Sequence, residues 1–99
     1  MELVGGKSSI LRSESFAEGR LRYFLTAADK NIDGLTGTTY GIRIESSLFG
    51  ENENAGIEDV TPNLSYAEEL FEAVHLYMVT PAQLSDVAAD FLNEKYGCA

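Results

Sequence analysis

Two periodicities divide this chain. Through residue 60 the apolar positions alternate with polar ones, and from residue 65 onward they recur every three and four residues. In the first region, Leu21, Tyr23 and Leu25 fall on one side of a strand spanning residues 20–27, with Arg22, Phe24 and Thr26 on the other. Residues 38–48 give the clearest strand. Tyr40, Ile42 and Ile44 share one face, and Thr39, Gly41, Arg43 and Glu45 share the opposite one. Residues 55–60 suit a short returning strand with Ile57 inward and Glu58 outward. Residues 9–16 alternate weakly, and the pattern leaves open whether they form a first strand ahead of a Glu18-Gly19 turn. Residues 28–37, rich in Asp, Asn and Gly, read as a loop. Residues 1–8 have no period and read as a loose start.

In the second region, Ser65 and Glu68 have the spacing of a capping box, and Ala67, Leu70, Phe71, Val74 and Met78 follow as a helical stripe. Thr80, Pro81 and Gln83 begin a second helix, whose stripe is Leu84, Val87, Ala88, Phe91 and Leu92 and whose end is Gly97. Two amphipathic helices after hairpin-linked strands need a common apolar surface. The inward face of the sheet supplies it. The expected fold is α+β and two-layered: an antiparallel β-meander of three or four strands followed by two C-terminal helices packed on one face. At 99 residues this is a single domain, residues 1–99.

Charge changes the picture more than composition does. Residues 1–49 hold six positive and six negative side chains, whereas residues 50–99 hold Lys95 against ten acids, so the whole net charge of −9 lies in the second half. A surface that negative repels phosphate backbones and anionic membranes. A helix-turn-helix reading of the last two helices fails on the same ground, because Asp86, Asp90 and Glu94 would face the DNA. No partner among nucleic acids or membranes is expected. A basic protein or a second copy of the chain remains open. The acids Asp86, Asp90, Glu94, Glu68 and Glu72 on the polar helix faces are the candidate interaction surface. Asp86 and Asp90 stand four residues apart on one helix and repel each other by a few tenths of a kcal/mol. Helix stability alone would not select that pair.

The candidate chemistry is sparse. Asp29, Asn31, Asp33 and Gly34 have the spacing of the first half of an EF-hand calcium loop, but the twelfth position is Tyr40 rather than a bidentate Glu. A polar turn accounts for the same residues, so no metal and no cofactor is expected. His75 is the one histidine and reads as a boundary residue near solvent. Cys98 is the one cysteine, so no intrachain disulfide can form, and its place beside the C-terminus suggests an exposed free thiol. No serine sits in a nucleophile elbow, and Gly34–Gly37 lacks the lysine and serine of a phosphate-binding loop. Neither a signal peptide nor an apolar run of the ~18 residues that span a bilayer is visible. The expectation is a cytoplasmic, non-enzymatic interaction or regulatory module. The alternative is a small-molecule binder or small enzyme with Tyr23, Tyr40, Tyr66 and Tyr77 lining a pocket between sheet and helices.

Three stretches carry a resemblance: Tyr40-Gly41-Ile42-Arg43-Ile44, Ile57-Glu58-Asp59-Val60-Thr61, and Val79-Thr80-Pro81 followed by Leu84, Asp86-Val87 and Asp90-Phe91-Leu92. Across roughly residues 20–92 the chain resembles a family of small uncharacterised proteins, a domain of unknown function, from clostridia and related Gram-positive anaerobes. That resemblance implies no activity and transfers no functional residue.

Overall fold

The computed structural model describes residues 8–48 and 50–97. Strands β1 (Ser8–Phe16), β2 (Leu21–Ile32), β3 (Leu35–Ser46) and β4 (Glu53–Thr61) precede helices α1 (Leu64–Leu76) and α2 (Leu84–Tyr96), with one 3-10 turn at Pro81–Gln83 leading into α2. The strands form one antiparallel sheet in the order β1-β2-β3-β4. This is the expected meander with two helices on one face, and it has four strands. Residues 9–16 do form a strand, and Ser8 belongs to it. Of the loose start expected for residues 1–8, Ser8 is in a strand and residues 1–7 lie outside the described residues, as does Cys98.

The alternation seen in the sequence sets the two faces. Leu21, Tyr23 and Leu25 on β2 stand beside Ser46, Ile44 and Ile42 on β3, and all six are buried. Ala67, Leu70, Phe71 and Val74 of α1 close over them, with Leu84 and Ala88 of α2. Each large apolar side chain removed from water here contributes roughly 1.5–3 kcal/mol. The opposite face of the sheet carries Arg22, Arg43 and Glu45 with Phe24 half-buried among them, and Arg22 pairs with Glu45 at 2.7 Å. Arg12 does not join that face. After a bulge at Leu11, Arg12 and Glu14 stand opposite Leu25 and Tyr23, on the helix side.

Residues 28–37 are not a loop. β2 and β3 continue as a two-stranded ribbon to a two-residue turn at Asp33-Gly34, with every pair in register from Ala28–Thr39 to Ile32–Leu35. Asp33 and Gly34 have φ of 53° and 82°, the double left-handed conformation of the turn whose twist suits a tight hairpin. The ribbon runs beyond the helices, so both its faces are wet and its side chains need not alternate in polarity.

Two helix boundaries also move. α1 is capped by Asn63, whose Oδ1 accepts from the Tyr66 amide at 3.1 Å, and not by Ser65. It ends before Met78. Met78 adopts φ 53°, its amide donates to the His75 carbonyl, and the Val79 amide donates to the Val74 carbonyl at 2.9 Å. This pair of bonds is a Schellman ending, in which the left-handed position usually falls to glycine. Val79, not Met78, completes the buried stripe. At the start of the next turn the Thr80 amide donates to Gln83 Oε1 at 3.1 Å, and Gly97 closes α2 with φ 59°.

Two substitutions should act with opposite sign. Met78 is 47% exposed, so Met78→Gly loses little packing while relieving the left-handed strain, and should raise stability by about 0.5–1 kcal/mol. At Gly41 an added Cβ would stand 2.2 Å from the Ile57 carbonyl oxygen and 2.7 Å from Glu58 Cα, where the backbone of β4 bulges over β3. Gly41→Ala should therefore cost about 1–3 kcal/mol through backbone displacement. Urea denaturation of the two variants beside the wild type checks both.

Candidate functional site

The acids of the second half sort into those that hold the fold and those that do not. Glu72 on α1 accepts from Arg12 of β1 at 2.8 Å and lies 3.1 Å from His75 Nε2. Glu69 pairs with Lys95 of α2 at 2.6 Å, joining the helices. Asp59 on β4 is held by Lys30 and by the Thr39 hydroxyl. Hydrogen bonding from Lys30, then from Thr39, lowers the Asp59 pKa, and hydrogen bonding from Arg12 lowers that of Glu72. The Lys95 pKa is raised, first by its hydrogen bond to Glu69, with Glu94 adding attraction from further off.

Asp86 and Asp90 are different. Both are exposed on α2, one turn apart, and among the described residues neither forms an ion pair. Asp86 lies in the first turn of the helix, where the backbone dipole offsets part of its charge, but Asp90 lies beyond that turn. Glu94 continues the stripe and Glu68 is exposed on α1. Of the five candidate acids, Glu72 is thus turned to an internal partner, while Glu68, Asp86, Asp90 and Glu94 form no ion pair among the described residues, and Asp86 and Asp90 stand one turn apart on the same helix.

His75 is not a boundary residue. It is 7% exposed, wedged between Phe71 at 5.0 Å and Phe16 at 6.2 Å between ring centroids, with Tyr23 at 6.5 Å. Because Glu72 accepts at Nε2, that nitrogen carries the proton, and buried Nδ1 has no partner among the described residues. Arg12 completes the cluster from above, its guanidinium 4.9 Å from the centre of the Phe71 ring. The assembly resembles a proton relay, but among the described residues no serine or cysteine is hydrogen-bonded to it, and it is closed by aromatic rings. Its evident effect is to fasten edge strand β1 to α1.

The four tyrosines do not converge. Tyr23 is fully buried and its hydroxyl donates to the Val79 carbonyl at 2.9 Å; burial raises its pKa. Tyr77 is 80% exposed at the end of α1. Tyr66 packs edge-on against Tyr96, and Tyr40 is half-buried on β3. A groove of about 430 Å³ lies instead where the β2–β3 ribbon passes the end of β4, lined by Leu35, Thr36, Thr38, Thr39, Asp59 and Pro62 among others. Asp29 and Asn31 stand on β2 while Asp33 is in the turn, an extended backbone rather than a loop folded around a cation. No cluster of three His, Cys, Asp or Glu side chains able to hold a metal occurs among the described residues. None of their helices is long and apolar enough to cross a membrane.

Residues 2–94 match the model of a family described as "Family of unknown function (DUF6514)", and the chain belongs to that family. Comparison with curated proteins and with solved structures gives no match.

The Arg12–Glu72 pair makes stability depend on pH in one direction. Its folded-state carboxylate has a lowered pKa, so the native state binds fewer protons than the unfolded chain through the carboxylate range. The pair's contribution is present above that range and lost as pH falls through it. Glu72→Gln should melt at a lower temperature than wild type at pH 7. The gap should narrow as pH falls through the carboxylate range and Glu72 takes up its proton in the folded state as well as the unfolded one. Thermal melts of the two proteins from pH 7 to 3 check this, and a gap unchanged at acid pH would assign the loss to packing rather than charge.

Proposed function

We propose that this chain is a non-enzymatic protein-interaction module that recognises a basic segment of another protein through the exposed face of α2. The observation that carries this reading is the bare Asp86–Asp90 pair. Other acids of the same half, Asp59, Glu69 and Glu72, each have a cation placed against them. Asp86 and Asp90 have none among the described residues and repel each other across one helical turn. A lysine or arginine from a partner would relieve that repulsion and form charge-assisted hydrogen bonds with both carboxylates. Glu94, one turn further on, extends the stripe, and Glu68 on α1 enlarges the negative field that draws such a partner in. A regulatory role in the cytoplasm of a clostridial or related anaerobic bacterium belongs to the same proposal. The charge balance that favours a basic protein disfavours nucleic acid and anionic membrane.

The test separates stability from binding. Asp86→Asn/Asp90→Asn should leave the fold intact and change its stability by less than about 1 kcal/mol, because relief of the repulsion is offset by loss of the Asp86 charge from the first helical turn. The same variant should lose a stoichiometric basic partner that wild type recovers from its native cytoplasm at low salt, and raising the salt should release that partner from wild type. Equal recovery by both proteins, or release unaffected by salt, would remove α2 as the binding face.

A further inference from the structure

A meander has open strand edges, and this one treats them unequally. The outer edge of β1 is interrupted by the bulge at Leu11, and β1 turns the charged Arg12 and Glu14 toward the helix side. The outer edge of β4 carries Glu53, Glu58 and Asp59, and α2 and the 3-10 turn pack against that strand. Bulges, charges and covering elements are the devices by which natural sheets block further strand addition. A third edge has none of them. β4 pairs with β3 only as far as Tyr40, opposite Thr61, so residues Leu35–Thr39 have β2 on one side and no strand on the other among the described residues. That stretch is Leu-Thr-Gly-Thr-Thr, without charge, proline or bulge.

The register states which backbone groups are open. The two-residue turn makes Ile32–Leu35 a hydrogen-bonded pair, and the antiparallel alternation then gives Lys30–Gly37 and Ala28–Thr39 the same status. Thr36 and Thr38 therefore direct their N–H and C=O groups away from β2, into the groove of about 430 Å³ beside Pro62. A two-stranded ribbon wet on both faces is marginally stable by itself, and a third strand is the usual remedy.

We propose that this edge pairs with the same edge of a second copy, antiparallel and two-fold symmetric about Gly37. In that register Thr36 faces Thr38 of the second copy and Thr38 faces Thr36, and their outward groups make about four backbone hydrogen bonds. Gly37 faces Gly37 at the two-fold axis, where no side chain separates the strands. Leu35, 77% exposed in the single chain, falls opposite Thr39 of the second copy and into the groove beside its Pro62, and the symmetry repeats the contact. Charge does not block a second copy here. Two chains of net charge −9 repel through their acidic helices, but Leu35–Thr39 is uncharged, and Asp59 in the groove is already paired with Lys30. The inference does not depend on the reading of α2, which uses other residues.

Sedimentation of the full chain from ~10 µM to ~1 mM should show a monomer–dimer equilibrium, a range that covers interfaces of this small size. Hydrogen exchange over the same range should show the Thr36 and Thr38 amides slowed at least about tenfold at the high concentration, while the Gly37 amide, bonded to β2, changes little. Thr38→Pro removes an N–H that the hairpin does not use, at an edge position that tolerates proline and after a glycine already extended. It should be monomeric with an unchanged circular dichroism spectrum. Should Thr38→Pro not fold, Thr36→Lys/Thr38→Lys serves instead, because it sets four lysines around the axis and should also be monomeric. A wild-type monomer at ~1 mM overturns the proposal. So does a dimer in which Thr36 and Thr38 exchange no more slowly than in dilute protein, or one that persists in a folded variant.

Discussion

The bond from the Tyr23 hydroxyl to the Val79 carbonyl is the point on which the rest of this fold depends. Tyr23 stands at the centre of β2 with its ring fully buried under α1. Burying a phenol without a hydrogen-bond partner is costly, so its one polar atom must meet an acceptor in a fixed place. That acceptor belongs to the residue where α1 has just ended. The bond thus fixes how far α1 reaches along the sheet, and the left-handed backbone of Met78 is the means of stopping it there. Thr80, one residue later, begins the turn into α2. The position of the second helix against β4 follows from where the first is made to stop.

Burial around Tyr23 also explains the histidine. Phe16, Tyr23 and Phe71 leave a slot beside the α1 terminus, and His75 fills it as an aromatic ring that keeps one polar atom in contact with the surface carboxylate Glu72. Arg12 reaches the same carboxylate from β1. An edge strand with few apolar side chains is in this way tied to the helix layer by a surface ion pair whose guanidinium also lies over an aromatic ring. The cluster has the residue types of a catalytic relay. Its geometry is that of a clasp.

Much of this was legible in the sequence. Alternation in residues 21–25 and 40–44 placed five buried side chains correctly and the half-buried Tyr40 with them, and the change of period located both helices. What was missed shares a physical cause. A segment whose environment differs from the half-buried surface assumed by periodicity gives a misleading pattern. Residues 28–37 form a ribbon wet on both faces, so polarity suggested a loop, although Asp33-Gly34 followed by Thr-rich sequence is itself a hairpin signal. Met78 continued the apolar spacing past the end of α1 because the backbone, not the side chain, terminates that helix. His75 was placed near solvent because one-letter polarity says nothing about a slot formed by Phe16 on a strand nearly sixty residues earlier. Ser65 matched a capping box, yet Asn63 is the stronger cap and stands nearer the exit of β4.

The two surfaces left over after this accounting have different origins. The core needs α2 only on the side of Leu84, Ala88 and Phe91, so its far side is free to carry any soluble residue. A choice of two adjacent acids there runs against helix stability by a small amount, and nothing in the core requires it. The open edge of β3 is different, because it follows from a mismatch of lengths. β2 and β3 each run for twelve residues and β4 for nine, and β4 leaves the sheet at Thr61 so that Asn63 can cap α1. Extending β4 to cover the edge would move the cap and displace α1 from Tyr23. Shortening the ribbon instead would give up the surface pair Lys30–Asp59, but residues 29–31 and 33–38 are exposed and contribute no side chain to the core. A ribbon that the core does not need, with its edge undefended while its neighbours are defended, is better accounted for by contact with another chain than by the stability of this one.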